Sequence, residues 1–266
     1  MSNLRLSGMY RYLVKSLAGE SLERGRLDAF GLQMDRRWML VDREGGFLSQ
    51  RELPRMALIT PRLTPEGLLL QAPERAELAV SRPGTEAERF KVRVWSDQCA
   101  AQSADPEADA WLSNYLGQAC RLVYMPQESV RRVDQRYGRP EDRAAFSDGF
   151  PLLLISQASL DDLNGRLGEP LPMSRFRPNL VVEGCAPYAE DEWKMIRIGE
   201  LTLRVVKPCS RCKITTIDPY TGETGPEPLK TLAGYRRRGK RVYFGQNLIH
   251  DTPGELALDL PVEVLE

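Results

Sequence analysis

Cys209 and Cys212 stand in the stretch Lys207-Pro208-Cys209-Ser210-Arg211-Cys212-Lys213, a Cys-x-x-Cys pair set among cations. Positive neighbours stabilise a thiolate over a thiol, so at least one of the two is expected to lose its proton easily. A thiolate on an exposed loop can serve as a nucleophile, a redox centre or a soft-metal ligand. The pair is not a structural zinc site by itself, because such sites need four ligands and the chain has no second Cys-x-x-Cys. The Cys-x4-Cys-x2-Cys run of a plant-type iron–sulfur cluster is also missing. A thioredoxin-like site opens a helix, whereas Ile214-Thr215-Thr216-Ile217 is β-branched and reads as extended. Local spacing therefore leaves a functional pair and two ordinary cysteines equally open. Cys99, Cys120 and Cys185 lie singly in or beside apolar segments and read as buried, inert thiols.

Other chemistry is restricted by composition. His250 is the single histidine, so a three-histidine zinc site is impossible and a Ser-His-Asp triad could use that residue alone. Lys+Arg and Asp+Glu both total 37, so no overall charge points to nucleic acid or a membrane surface. The first dozen residues hold no apolar run of signal-peptide or spanning length, and a soluble, cytoplasmic protein is expected. An odd count of 5 cysteines, mostly scattered, is no secreted disulfide framework. At 266 residues the chain has room for one or two domains.

The elements that must carry the cysteine pair are mostly short strands. Residues 9–14 read as a first strand, and 37–41 with 47–49 as a hairpin around Glu44-Gly45-Gly46. Residues 57–63 and 68–71 form a second hairpin, followed by strands at 76–81 and 90–95. Asp105 and Pro106 are N-cap and first-turn residues of a helix that Gly117 ends. Strands punctuated by turns suggest a barrel or sandwich. A second part begins with a strand at 121–125. The polar stretch 129–146 reads as a solvated crossover. Strands follow at 151–155 and 179–182, with a helix between them capped by Ser156 and stopped by Gly168. A hairpin of 194–198 and 201–206 delivers the cysteine loop. A short helix at 226–235 and strands at 242–249 and 256–265 complete the chain.

Lys207 to Cys212, followed by Thr215-Thr216-Ile217-Asp218-Pro219-Tyr220-Thr221-Gly222, resembles the signature of the MOSC proteins, among them the mitochondrial amidoxime-reducing component and its bacterial counterparts. The resemblance spans nearly the whole chain. Tyr12 to Ser16 and Asp35 to Val41 are similar to the MOSC N-terminal domain. Phe146-Ser147-Asp148, Ser159 to Asn164, Phe176 to Asn179 and Phe244-Gly245-Gln246 are similar to the MOSC domain proper. It implies an α+β, mostly β fold: a β-barrel-like MOSC N-terminal domain at 1–120 packed against a MOSC β-barrel domain at 121–266, with a cleft between them.

The resemblance also implies a molybdenum cofactor, a pyranopterin whose dithiolene holds molybdenum with a cysteine thiolate as a further ligand. Soft sulfur suits that metal. By position in the motif Cys212 is the catalytic and metal-ligating residue, and Cys209 its non-ligating companion. Ser210 and Arg211 lie between them at the cofactor. Lys15, Ser16 and Arg36 match positions that hold the cofactor phosphate, with a point charge, a hydroxyl and a fork. Arg177 and Asn179 match pterin-side contacts. Asp148, Gly149 and Phe150 match a cofactor-lining segment, although the family carries small hydroxyl residues after the aspartate. Asn247 stands where the family pattern has an aromatic residue. Pyridoxal phosphate binding is a further association of the family.

The implied activity is reduction of N-hydroxylated compounds, namely amidoximes, hydroxylamines or N-hydroxylated bases, to amine or amidine plus water. An alternative is a cofactor carrier or sulfur-delivery module, and a third reading is a metal-free thiol protein with a reversible disulfide. Some bacterial relatives carry a fused ferredoxin domain. Here none is expected, and no Gly-x-Gly-x-x-Gly segment opens a helix. Electrons would then come from a separate flavoprotein or ferredoxin-type donor. The run Arg236-Arg237-Arg238-Gly239-Lys240-Arg241 is its candidate docking face, against the simpler reading of a solvated surface.

Overall fold

A computed structural model describes residues 4–266. The largest sheet has nine strands. Its path runs Val262–Val264, Met195–Ile198, Leu201–Ser210, Arg241–His250, Leu152–Ser156, Leu180–Glu183, Arg5–Arg11 and Glu20–Ser21, and Arg237–Arg238 pairs with Arg241–His250 off this path. Alternate residues point to one face, so Ile196, Ile198, Leu201, Leu203, Leu154, Leu180 and Val182 share one buried core. Leu4, Leu6 and Met9 from the start of the chain belong to the same core. Leu6 N–H donates to Leu260 C=O, and Val262 N–H donates to Leu4 C=O. These bonds join the first strand to the far edge and close the sheet on itself, which leaves no open edge there.

One pair in that barrel is parallel, Leu152–Ser156 beside Leu180–Glu183. A parallel pair needs a crossover, and the helix Gln157–Asn164 supplies it. The Ser156 hydroxyl accepts from Ser159 N–H, as an N-cap should, while Leu160 and Leu163 bury against Ile155, Phe176 and Phe244. The helix ends at Gly165 rather than at Gly168, because Gly165 already caps the Asp161 carbonyl.

The other half holds a four-stranded sheet, ordered Trp38–Val41, Arg121–Tyr124, Asp97–Ser103, Arg89–Val94. The helix Pro106–Leu116 packs beside it, capped by Asp105 and ended by Gly117 in the left-handed conformation. Ala108, Leu112 and Tyr115 meet Trp38, Leu40 and Leu122 in its core. The expected hairpin of 37–41 with 47–49 shrinks to a single bridge, Val41 to Phe47. Trp38–Val41 pairs instead with Arg121–Tyr124, which buries both strands. Two further small sheets, Thr60–Leu63/Gly67–Gln71/Leu78–Ser81 and Gly254–Ala257/Arg24–Asp28/Gly31–Leu32, complete the fold.

Pairing crosses residue 120 in both directions. Arg5–Arg11 is a stave of the C-terminal barrel, and Arg121–Tyr124 is a central strand of the N-terminal sheet. The final expected strand is two, Gly254–Ala257 and Val262–Val264, separated by Asp259 at φ 64. The stretch 129–146 is no solvated crossover. Ser129, Arg131, Val133, Asp142 and residues 144–146 are buried, and Arg131 Nη1 donates to the carbonyls of Ala145 and Ser147.

Candidate functional site

The cysteine pair lies where the longest antiparallel strand pair of the barrel is distorted. Leu201–Ser210 and Arg241–His250 pair with register shifts between Val205 and Lys207 and again between Pro208 and Ser210. Bulges of this kind re-aim side chains. The strand runs through Cys209, so the first cysteine is on a strand and not on a loop. Cys212 opens a 3-10 turn, Lys213–Thr216, where an extended segment was expected. Thr215 and Thr216 side chains bond back to the carbonyls of Cys212 and Lys213 and hold that turn despite their β-branching.

Two sulfurs result with different surroundings. Arg211 Nη1 donates to Cys209 Sγ at 3.0 Å, yet burial outweighs that charge and pushes the Cys209 thiol up. The expectation of easy deprotonation therefore fails at Cys209. Cys212 Sγ accepts from Arg51 Nη2 at 3.3 Å. Of the other cations in the motif, Lys207 lies over the Tyr137 ring at 4.5 Å, and Lys213 donates to Arg51 C=O at 3.4 Å. Burial pushes the thiols of Cys99, Cys120 and Cys185 up as well. His250 is away from these sulfurs, its Nε2 bonded to Asp28 C=O at 2.7 Å.

One cleft gathers Lys15, Ser16, Arg36, Asp148, Gly149, Phe150, Arg177, Asn179, Ser210, Arg211, Cys212 and Asn247. Cys209 also lines it. Its two ends are joined by a charge chain. Lys15 Nζ donates to Asp148 Oδ1 at 2.5 Å and to Phe146 C=O at 2.8 Å. Asp148 Oδ2 lies 3.7 Å from Arg51 Nη2, the same nitrogen that reaches Cys212. Burial pushes Lys15 down to about 8, with Asp148 resisting. Burial would raise the Asp148 carboxyl, but Lys15, Arg51 and the Trp95 N–H together hold it well below the usual carboxylate range.

Backbone strain is concentrated here. Ser16, Arg36 and Arg177 all have left-handed φ, at 66°, 48° and 54°. Such conformations cost free energy in non-glycine residues and persist where the surroundings enforce them. Gln50 Nε2 donates to Ser16 C=O at 2.7 Å. Arg36 and Arg177 both lie against the Tyr12 ring, at 4.3 and 4.2 Å. Arg36 is further tied to Asp35 at 2.5 Å and to Asn179 Oδ1 at 3.1 Å. Asn179 is buried, its Oδ1 also accepting from Leu153 N–H and its Nδ2 donating to Tyr10 C=O, so its amide braces the cleft wall. Asn247 Nδ2 donates to Lys207 C=O at 3.0 Å.

Some donors in the cleft wall have nothing to bond. Arg177 Nη1 donates to Leu17 C=O, but Nη2 is buried without a partner. Arg211 Nη2 donates to Phe176 C=O, while its Nε is likewise unpartnered. Burial pushes Arg177 down to about 10, so it stays charged at neutral pH. Buried, unsatisfied guanidinium N–H groups are costly, and both belong to residues that line the cleft. Among the described residues, no group of three or more His, Cys, Asp or Glu side chains is placed to hold a metal ion. A metal at Cys212 would need most of its ligands from a non-protein molecule.

The MOSC N-terminal beta barrel domain matches residues 3–119, and the MOSC domain matches residues 141–263. Mitochondrial amidoxime-reducing component 1 of Mus musculus is 35% identical over 97% of this chain and 81% of its own length. The chain belongs to the MOSC family. The human mitochondrial amidoxime-reducing component 1 is 36% identical to this MOSC protein over 97% of the chain and 82% of its own length. Molybdenum cofactor sulfurase of Oryza sativa subsp. japonica is 32% identical over 92% of this chain but 32% of its own length. These names lend pyridoxal phosphate no support. Among the described residues no helix is long and apolar enough to cross a membrane.

Several residues of the MOSC cleft carry no local sequence signal. Arg51, Gln50 and Trp95 come from turns, and Arg131 from an irregular stretch, all remote in sequence from the cysteine motif, and no spacing pattern links them to it. The basic run also needs correction. Arg236 is not free to dock a partner: its Nη2 is 2.5 Å from Asp191 Oδ2, its Nε donates to Tyr243 C=O, and it lies against Tyr188. Arg237, Arg238, Lys240 and Arg241 are exposed.

Proposed function

We propose that this MOSC protein is a molybdenum-cofactor-dependent reductase of N-hydroxylated compounds, converting N–OH to amine or amidine plus water. The observation that carries the reading is the meeting, in one cleft, of the Cys212 thiol with buried guanidinium donors that lack partners. Those residues fit the cofactor. A cysteine sulfur is offered without companion protein ligands, as a metal already held by a dithiolene requires. Lys15, Ser16 and Arg36 offer a charge, a hydroxyl and a fork to a phosphate. Arg177 and Arg211 offer N–H groups to ring heteroatoms.

When bound, the cofactor supplies the two electrons that break the N–O bond. Cys212 would hold the metal through its thiolate, and the Arg51 N–H would steady that sulfur. Cys209 stays back as a thiol, held to Arg211. Asp148 remains a carboxylate and keeps Lys15 and Arg51 in place, so it is a poor proton donor at neutral pH. Water in the open cleft then delivers one proton to the departing hydroxyl, which leaves as water, and one to the nitrogen, which becomes the amine or amidine N–H. A separate protein returns the electrons.

The experiment is molybdenum analysis of protein from a cofactor-competent host, followed by turnover of benzamidoxime with a reduced viologen dye. Molybdenum near one per chain with benzamidine formed is the expected result. The similarity to a molybdenum cofactor sulfurase favours a second reading, a carrier or sulfur-delivery module. Stoichiometric molybdenum without turnover of any N-hydroxylated compound would select that reading, and absence of molybdenum would remove both.

A further inference from the structure

Beside the cofactor cleft lies a second, wider cavity that shares Asp148, Gly149, Phe150, Cys209, Cys212 and Asn247 with it. A substrate approaching Cys212 would cross this vestibule. Its wall has an aromatic side and a basic side. Trp95 is 47% exposed, a rare state for so large an apolar ring. It sits in the turn joining Arg89–Val94 to Asp97–Ser103, at φ 58. Such a turn position ordinarily takes glycine or asparagine, and a bulky residue there is strained. The indole is nevertheless fixed. Arg51 lies over it at 4.6 Å, Phe47 meets it edge-on at 4.9 Å, and its Nε1 points to Asp148 Oδ1 at 3.4 Å. Phe150 adds a second ring to the wall.

The basic side is unbalanced. Arg51, Arg131, Arg132, Lys207 and Arg241 face the vestibule against Asp97, Asp134 and Asp148. Each of those acids already has a cation. Asp97 pairs with Arg131, Asp134 with Arg136, and Asp148 with Lys15 and Arg51. Among the described residues Arg132, Lys207 and Arg241 have no carboxylate within ion-pairing distance. Lys207 is not loose: its Nζ rests over Tyr137 at 4.5 Å and Phe150 at 5.7 Å, which sets the ammonium at the cavity wall beside a ring.

We infer that the vestibule selects planar, aromatic N-hydroxylated compounds that carry an anionic group, with the ring on Trp95 and Phe150 and the anion at Lys207 and Arg132. This rests on the reductase reading for the chemistry, while the ligand preference stands on the vestibule alone. An anion there gains charge-assisted hydrogen bonds in a partly enclosed space, where they exceed neutral ones. A neutral aromatic compound keeps the stacking and loses that contribution.

The test compares benzamidoxime with 4-carboxybenzamidoxime on the cofactor-loaded protein. Calorimetry without reductant gives the two affinities, and reduced viologen gives the two kcat/KM values. The carboxylated compound is expected to bind about tenfold more tightly at low salt, with the advantage shrinking as ionic strength rises. The double variant Lys207→Gln, Arg132→Gln should bring the ratio near unity. Trp95→Ala should weaken both compounds by a similar factor and leave the ratio. Far-UV circular dichroism and thermal melts establish that each variant is folded. Equal affinities in the unaltered protein, or a preference that survives the double variant, would overturn the inference. Selective binding without reduction would sink the reductase reading and leave the vestibule's preference standing. Reduction of both compounds with equal kcat/KM and equal affinity would do the reverse.

Discussion

At Cys212 the sulfur faces an arginine N–H across 3.3 Å, while Cys209, three positions earlier, is half-buried against Arg211 with its thiol pushed up. The two cysteines should therefore respond differently to the same change. Cys212→Ser is expected to lower viologen-driven turnover at least a hundredfold, because an alcohol is a poor substitute for a thiolate on a soft metal. The cradle of Lys15, Arg36 and Arg177 is intact in that variant, so the pterin should remain bound and visible by fluorescence after acid release. Cys209→Ser should cost less than tenfold. The opposite order of effects would exchange the two roles. Lys15 makes a pH prediction. Its ordinary value of 10.5 is pushed down to about 8 by burial, so above pH 8 the folded protein loses a charge that a phosphate needs. Cofactor retained after dialysis should fall between pH 7 and pH 9.5, and Lys15→Arg should flatten that fall. Unfolding is not the cause the sign permits. Between 8 and 10.5 the unfolded chain binds more protons at this group, so its contribution to stability rises with pH in that window. A melt that stays flat or improves while cofactor content drops separates the two explanations.

The strands and turns explain why the chemistry comes together, and also which parts of the cleft could be foreseen. Lys15, Arg36, Arg177 and Cys212 were named from the family resemblance rather than from residue type alone, and the structure brings them to one cleft. Arg51 and Trp95 were not named, since each reaches the site through tertiary contact alone. Local propensity also misled at 214–217, where β-branched residues formed a 3-10 turn because the threonine hydroxyls bond back to carbonyls three residues earlier. The pairing of Trp38–Val41 with a strand some eighty residues on was hidden by a good nearby turn signal at Gly45-Gly46. Within the long strand Arg241–His250, Gly245 shows how tightly the cleft wall is built. It has φ 78, and a Cβ there would lie 2.6 Å from Ile155 Cγ1 and 2.8 Å from Leu154 C=O. Gly245→Ala should destabilise by roughly 2–5 kcal/mol in urea unfolding, from the left-handed backbone and the clash together. It should also lower cofactor content, because Gln246 and Asn247 follow directly. Asp105→Ala is the contrasting case. It removes the N-cap bond to Glu107 N–H and should cost about 1 kcal/mol without changing cofactor content.

On the scale of the whole molecule, hydrogen bonding that crosses residue 120 makes the two halves depend on each other, and the proposed reductase would take its electrons from outside. The sequence has no Gly-x-Gly-x-x-Gly fingerprint and no plant-type cysteine run, so the purified protein is expected to be inert with NADH or NADPH alone. A reduced viologen dye, small enough to reach the cleft, should drive turnover. So should a reconstituted flavoprotein or ferredoxin-type donor, but through a surface. The surface best suited is a groove lined by Ser210, Arg211, Lys230, Arg237, Lys240 and Arg241, which runs from the cysteine motif to the exposed basic hairpin. Arg211 bonds the Cys209 sulfur from one side of this groove, so a donor seated there is brought close to the Cys209–Cys212 motif. Electron-transfer encounters are small and charge-steered, which a cluster of exposed cations serves. Charge reversal at Arg237 and Lys240 should slow the protein-donor reaction tenfold or more at low ionic strength and leave the dye reaction within twofold. Arg236 and Arg238 must be kept out of that set, because both reach Asp191 Oδ2, at 2.5 and 3.6 Å. The ion pair of Arg236 with Asp191, itself bonded to Gln246, braces the long strand, so Arg236→Glu should lower stability and both reactions together. Equal loss with dye and protein donors in the Arg237, Lys240 variant would remove the docking assignment, whereas robust NADH-driven turnover by the isolated chain would remove the need for a donor at all.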